Sequence, residues 1–173
     1  MSGAGAGKVF DNLEQVGSGA AFAAQVCAMM ERTDMFGDLE HHEIERIAPY
    51  ISVYRAREGN RVMEEDDRES YMFILVKGRL QIIKRDEDNT NKKLAIVREG
   101  KSIGEMSVID GMHHSATVVA LQESELLLLT KHNFDMLVER NPEVGVILLR
   151  KIANLMSLRL RRTSGVLVDY LDE

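Results

Sequence analysis

The spacing of apolar positions changes twice along this chain, and each change marks a different kind of structure. From Ala20 to Arg32 the residues are rich in Ala, Met, Val and Gln, which favour helix. Phe22, Val26 and Met29/Met30 fall on one helical face. A second helix is predicted from about Leu39 to Ala48, with Asp38 as its N-cap and Ile44, Ile47 and Ala48 inward. Pro49 ends or kinks it. Short β-favouring runs follow: Ile51–Arg57, Asn60–Glu64, Tyr71–Lys77, Arg79–Lys84, Lys93–Arg98, Ala116–Ala120 and Glu125–Thr130. Turn signals separate them, and Asp86–Asn91 reads as an exposed hairpin tip. Many short strands at such spacing predict a sandwich or barrel, often a jelly roll. Helical spacing returns at Lys131–Glu139, stops at Asn141-Pro142 and resumes from Glu143. There Leu149, Ile152, Met156, Leu160, Thr163, Leu167 and Tyr170/Leu171 form a heptad-like seam, weakened at Gly165. Such a terminal helix calls for a partner, most simply its own copy in a homodimer.

Composition narrows the function classes. The 173 residues are 45% hydrophobic and 29% charged, an ordinary globular balance. Lys plus Arg is 22 against 28 Asp plus Glu, for a net charge of −6. That disfavours general nucleic-acid binding, which rests on neutralising phosphates. The longest apolar runs, Met72–Val76 and Leu126–Leu129, are too short to span a bilayer. One cysteine, Cys27, excludes an intrachain disulfide framework and fits a reducing compartment. The Gly/Ala/Ser start, 1–7, reads as mobile and has no apolar core of a signal peptide, so a cytoplasmic location is expected. Segment Val9–Val16 is ambiguous.

The chemistry concentrates in Glu99–Ala120, EGKSIGEMSVIDGMHHSATVVA. A glycine, Gly104, lets backbone N–H groups approach an anion, and a short helix opening after it offers free donors. A carboxylate at the next position, Glu105, repels phosphate but accepts hydrogen bonds from a sugar hydroxyl. The arrangement suits a sugar–phosphate ligand.

At this point the chain resembles the cyclic-nucleotide-binding domains of the bacterial catabolite activator protein and of the regulatory subunits of cyclic-AMP-dependent kinase. The resemblance runs from Met35 to Arg162, about three quarters of the chain. It rests on Gly59, Gly78 and Gly100, on the phrases Phe73–Gly78 and Gly100–Glu105, and on Asn141-Pro142. It implies an α+β fold in which an antiparallel β-roll over 51–130 is flanked by helices over 20–50 and 131–173, after a flexible segment 1–19. It also implies a phosphate-binding cassette over Gly104–Thr117, with Ile103, Gly104, Glu105, Met106, Ser107, His114, Ser115, Ala116 and Thr117 as nucleotide-binding residues. Gly104 matches the backbone donor to the cyclic phosphate and Glu105 the acceptor of the ribose 2′-hydroxyl. Ser115 matches a small phosphate contact, and Thr117 a hydroxyl of cyclic-GMP-preferring members.

Two departures stand against these matches. The family's phosphate-binding arginine is replaced here by His114, preceded by His113. Arginine is permanently charged and forked, whereas histidine near neutrality is mostly uncharged unless an anion raises its pKa. A charge-assisted bond worth roughly 1.5–3 kcal/mol becomes lost or pH-dependent, a loss of about ten- to a hundredfold in affinity. Glu64–Asp67, four acidic residues, stand where many members have a glycine-containing turn. In ligand-binding members of the family the long helix closes over the base, so the resemblance implies that Arg159 or Arg162 supplies the missing charge, and Arg159 or Thr163 contacts the ligand; read from the residues alone, these basic positions form a solvated face beside the seam.

The expectation is a sensor or regulatory domain, with no resident cofactor, that binds cAMP, cGMP or a related phosphate ligand. It signals through its last helix to a protein partner not identifiable from sequence. The alternative is a dimeric interaction or scaffold module that has lost its ligand. No winged helix–turn–helix follows the long helix in this sequence, so DNA binding is not expected, nor is a membrane. Enzymatic activity is not expected either. No nucleophile elbow occurs, and the pairs His41-His42 and His113-His114 are adjacent, so on a strand they would face opposite ways rather than share a metal.

Overall fold

The computed structural model describes residues 10–18 and 20–171. The expected mobile start, 1–7, lies outside the described residues. Two helices, α1 (Ala23–Met30) and α2 (His41–Ile47), precede strands β2 (Ser52–Ala56), β3 (Arg61–Met63), β4 (Tyr71–Lys77), β5 (Arg79–Arg85) and β6 (Asn91–Arg98), with a first strand β1 (Glu14–Ser18) ahead of them. Then come β7 (Ser102–Ile103), the short α3 (Glu105–Asp110), β8 (Thr117–Ala120), β9 (Ser124–Thr130), α4 (Lys131–Arg140) and α5 (Pro142–Leu171). One sheet runs β1-β2-β9-β4-β7 and the other β3-β8-β5-β6. All pairings among them are antiparallel, as expected of a β-roll.

The roll works because β4 and β9 are buried on both faces. Met72, Ile74, Val76, Leu127 and Leu129 point into a core shared with α1, α2, α4 and the start of α5. The alternate residues Tyr71, Phe73, Leu75, Leu126 and Leu128 point into the roll. A period of two with both phases apolar reads in sequence as an unbroken run. Four-residue segments such as Leu126–Leu129 are thus central strands.

Several boundaries differ from the sequence pattern for local reasons. The cap of α2 is Glu40, not Asp38, because Glu43 reaches back to the Glu40 N–H at 2.9 Å and completes a capping box. Asp38 instead pairs with Lys151 of α5. The ambiguous segment supplies β1, which pairs with the edge of β2. Just before it, Leu13 is buried in the roll interior, and the Phe10 ring lies 4.9 Å from that of Tyr71. Strand β7 is only two residues long, a stub between the Gly100 turn and Gly104. Pro142 opens α5 as expected.

The heptad seam is divided. Ile152 is buried in the protein's own core, and Met156 is half-buried against it. Leu149, Leu160 and Leu167 are exposed at 43%, 68% and 57%. Every described residue from Arg161 to Leu167 is exposed. Among the described residues no helix is long and apolar enough to cross a membrane.

Candidate functional site

The site forms where β7 runs into α3. Ile103 is buried in the roll and pairs with Phe73 of β4, which fixes the start of the cassette against the central strand. Gly104 then turns the chain at φ +81°. A β-carbon there would lie 2.6 Å from the Tyr71 carbonyl oxygen and 2.5 Å from Met63 Cε, so only glycine fits. The Ser107 hydroxyl makes hydrogen bonds to the carbonyl oxygens of Tyr71 at 3.1 Å and Gly104 at 2.9 Å. Ser107 therefore holds the turn, and its hydroxyl is already engaged. Met106 is exposed, its side chain on the outside of the cassette.

Glu105 and His114 are the buried polar residues at the centre, at 2% and 3% exposure. The Glu105 carboxylate is met by Arg159 of α5, whose guanidinium also donates to the Ser102 carbonyl. Of the two arginines considered for the cassette, Arg159 lies beside it and binds the carboxylate and a carbonyl. Oε2 of Glu105 is left with no partner. Thr163 lies in the exposed stretch of α5. Arg162 is exposed as well.

His114 packs edge-on against the Tyr71 ring at 4.5 Å between centroids. Its backbone is held on both sides by the acidic loop. The Asp66 N–H donates to the His114 carbonyl at 2.9 Å, and the His114 N–H to the Asp67 carbonyl at 3.3 Å. Asp66 itself takes the left-handed conformation, φ +69°, in this turn. Burial pushes the His114 pKa down to about 4, and the nearby Asp67 charge opposes this without overcoming it. The imidazole is therefore neutral at physiological pH. Its Nε2 has no hydrogen-bond partner.

The remaining cassette residues line the rim. Ser115 is exposed, and its carbonyl accepts from Lys84 Nζ at 2.8 Å. Ala116 and Thr117 are half-buried, and the Thr117 hydroxyl accepts from the Glu65 N–H at 3.0 Å. His113 is exposed. The acidic loop is neutralised locally: Arg61 pairs with Glu64, Arg85 with Glu65 and Asp66, and Lys84 approaches Glu65 at 3.8 Å. Three participants were not singled out in the sequence: Tyr71, the Ser102 carbonyl and the Lys84/Arg85 pair. Tyr71 reads as one more apolar strand position, and a carbonyl leaves no trace in side-chain chemistry.

Comparison with known proteins bears on this arrangement. The family described as "Cyclic nucleotide-binding domain" matches residues 54–141, half of the chain, a span that runs from within β2 through α4 and includes the whole cassette. The cyclic AMP receptor protein of Thermus thermophilus is 25% identical over 132 residues, 76% of this chain and 59% of that protein. The chain thus spans about three fifths of that relative's length. Lysophospholipase NTE1 of Cryptococcus neoformans is 29% identical over 164 residues, but these are only 10% of that protein. A crystal structure of a cyclic nucleotide-binding domain from Methylobacillus flagellatus shares the fold, with a TM-score of 0.81 at 24% identity, covering 95% of this chain and 93% of that one. With the β-roll formed and the cassette lying inside the matched span, the chain belongs to the cyclic nucleotide-binding domain family, whose members are ligand-binding regulatory domains.

Proposed function

We propose that this domain is a ligand-responsive regulatory module. A ribose-bearing ligand, a cyclic nucleotide such as cAMP or cGMP or a related compound, enters the β-roll and donates a ribose hydroxyl to Glu105. The observation that carries the reading is the bond between Arg159 and Glu105, because it ties the candidate ribose acceptor directly to α5. A ribose arriving at the unpartnered Oε2 shares the carboxylate with the guanidinium and weakens its hold. The segment of α5 beyond Ile152 then repositions, and a partner protein reads the change. Such a response requires the ligand to bind the two α5 positions with different affinity. The exposed leucines of α5 fit a homodimer seam, and the single buried thiol of Cys27 fits the cytoplasm.

A second reading has its own support. His114 has replaced the phosphate-binding arginine, and Arg159 already occupies one oxygen of Glu105. The domain would then be an interaction module that binds no nucleotide.

Hydrogen exchange of α5 with and without ligand separates the two. Under the first reading a bound ribonucleotide or ribonucleoside changes exchange across residues 155–167. Arg159→Ala still binds, yet loses that change. An identical change in the variant refutes coupling through Arg159. No heat and no thermal stabilisation with any ribose-bearing probe leaves the interaction module.

A further inference from the structure

Two buried polar atoms of the cassette have no hydrogen-bond partner, Glu105 Oε2 and His114 Nε2. They belong to neighbouring parts of the cassette. Glu105 follows Gly104, and a β-carbon on Gly104 would lie 3.4 Å from His114 Cε1. A buried polar atom left unpaired is unfavourable, so each of the two calls for a ligand atom. What they can accept is narrow. A carboxylate oxygen only accepts hydrogen bonds, and a neutral imidazole nitrogen either accepts one or donates one. A hydroxyl satisfies both. A phosphate oxygen has no proton for Glu105 and finds at most one uncharged N–H at His114.

The charged groups around the pocket point the same way. Arg159 is held by Glu105 and the Ser102 carbonyl. Lys84 is held by the Ser115 carbonyl and lies near Glu65, while Arg85 is held by Glu65 and Asp66. Arg61 is paired with Glu64. Each of these cations already serves a carboxylate or carbonyl, and Asp67 adds a negative charge beside His114. An anion entering here would meet a neutral ring where relatives offer a forked cation.

We infer that the pocket takes an uncharged ribonucleoside, one ribose hydroxyl on Glu105 Oε2 and a second on His114 Nε2, in preference to the cyclic phosphate of the same base. This rests on the reading of Glu105 as the ribose acceptor and narrows it to a ligand class. The arginine-to-histidine exchange thereby changes selectivity, leaving a site that still binds ribose.

The test is calorimetric titration of the full chain, near neutral pH, with adenosine, guanosine, their 2′-deoxy forms, cAMP and cGMP. One of the two ribonucleosides is expected to bind about ten- to a hundredfold more tightly than its cyclic monophosphate, the range of one lost charged hydrogen bond. The 2′-deoxy form is expected to bind at least about tenfold more weakly than the ribonucleoside. A cyclic nucleotide bound as tightly as its nucleoside overturns the inference and leaves the regulatory reading standing. Binding of none of the six overturns both. His114→Arg supplies the second arm: cyclic-nucleotide affinity is expected to rise about tenfold or more with nucleoside affinity little changed. An equal rise for both ligands overturns the charge argument. If His114→Arg fails to fold, His114→Gln must keep the nucleoside preference, and its loss in that neutral variant counts against the inference.

Discussion

The buried imidazole of His114 makes a sharp prediction about acid stability. Its ordinary pKa of 6.5 is pushed to about 4 in the folded protein. Between those values the unfolded chain binds a proton that the native protein does not. Stability therefore falls as the pH drops through this window, levels off below it, and receives nothing from this group above about 6.5. A gap of 6.5 minus about 4, some 2.5 pH units, at about 1.4 kcal/mol per unit, comes to roughly 3 kcal/mol in total. About 2 kcal/mol of it is lost already near pH 5. For a domain whose whole stability is on the order of 5–15 kcal/mol this is readily measured. Urea unfolding of the wild type and of His114→Gln, at steps across the window, isolates the effect. The variant keeps a polar, uncharged side chain, so the carboxylates titrate alike in both proteins. His41, whose pKa Glu31 raises in the opposite sense, cancels as well. The wild-type curve should fall below the variant's progressively from pH 6.5 toward 4. Parallel curves, or an imidazole resonance of His114 titrating with a midpoint near 6, would refute the burial argument.

Three further outcomes follow from the geometry. Gly104→Ala forces a β-carbon against the Tyr71 carbonyl at a positive φ. The expected loss is about 2 kcal/mol or more, seen as a fall in Tm of roughly 4–8 °C, and an unchanged Tm would contradict it. Arg159→Ala removes the partner of a nearly buried carboxylate, but the arginine side chain is itself 42% exposed. Solvent discounts the loss to about 1–2 kcal/mol, read as a lower urea midpoint in the ligand-free protein. Leu160→Asp places a charge on the exposed leucine row of α5. Light scattering should then report a mass near 19.5 kDa, against twice that for the wild type. A wild type already at the lower mass would refute the seam.

The roll was legible in sequence because its turns need particular residues and its central strands are apolar in both phases, as in Tyr71–Lys77. The cassette was legible because Gly104 and Glu105 carry their chemistry in their side chains or lack of one. What escaped depends on tertiary distance. Ile152 and Leu160 are both apolar seam positions, yet the first is drawn into the protein's own core and the second is left outside. Nothing in the heptad distinguishes them. Asp38 looks like a cap until Lys151, more than a hundred positions away, takes its carboxylate. The neutrality of His114 is likewise a property of the Tyr71 ring and the loop around it, not of the residue type.

Helix α5 is also a mechanical lever. Its first turns are clamped, with Val144, Leu148 and Ile152 buried, and residues Arg161 to Leu167 are exposed. Arg159 makes the last hydrogen bonds between the two parts among the described residues. From Arg159 to Leu171 the helix rises about 18 Å at about 1.5 Å per residue. A tilt of about 10° about that point would carry the tip sideways by about 3 Å, over half of one helical turn. Displacements too small to notice at Glu105 would thus arrive at the far end on the scale of a side chain, large enough to seat or unseat a neighbour.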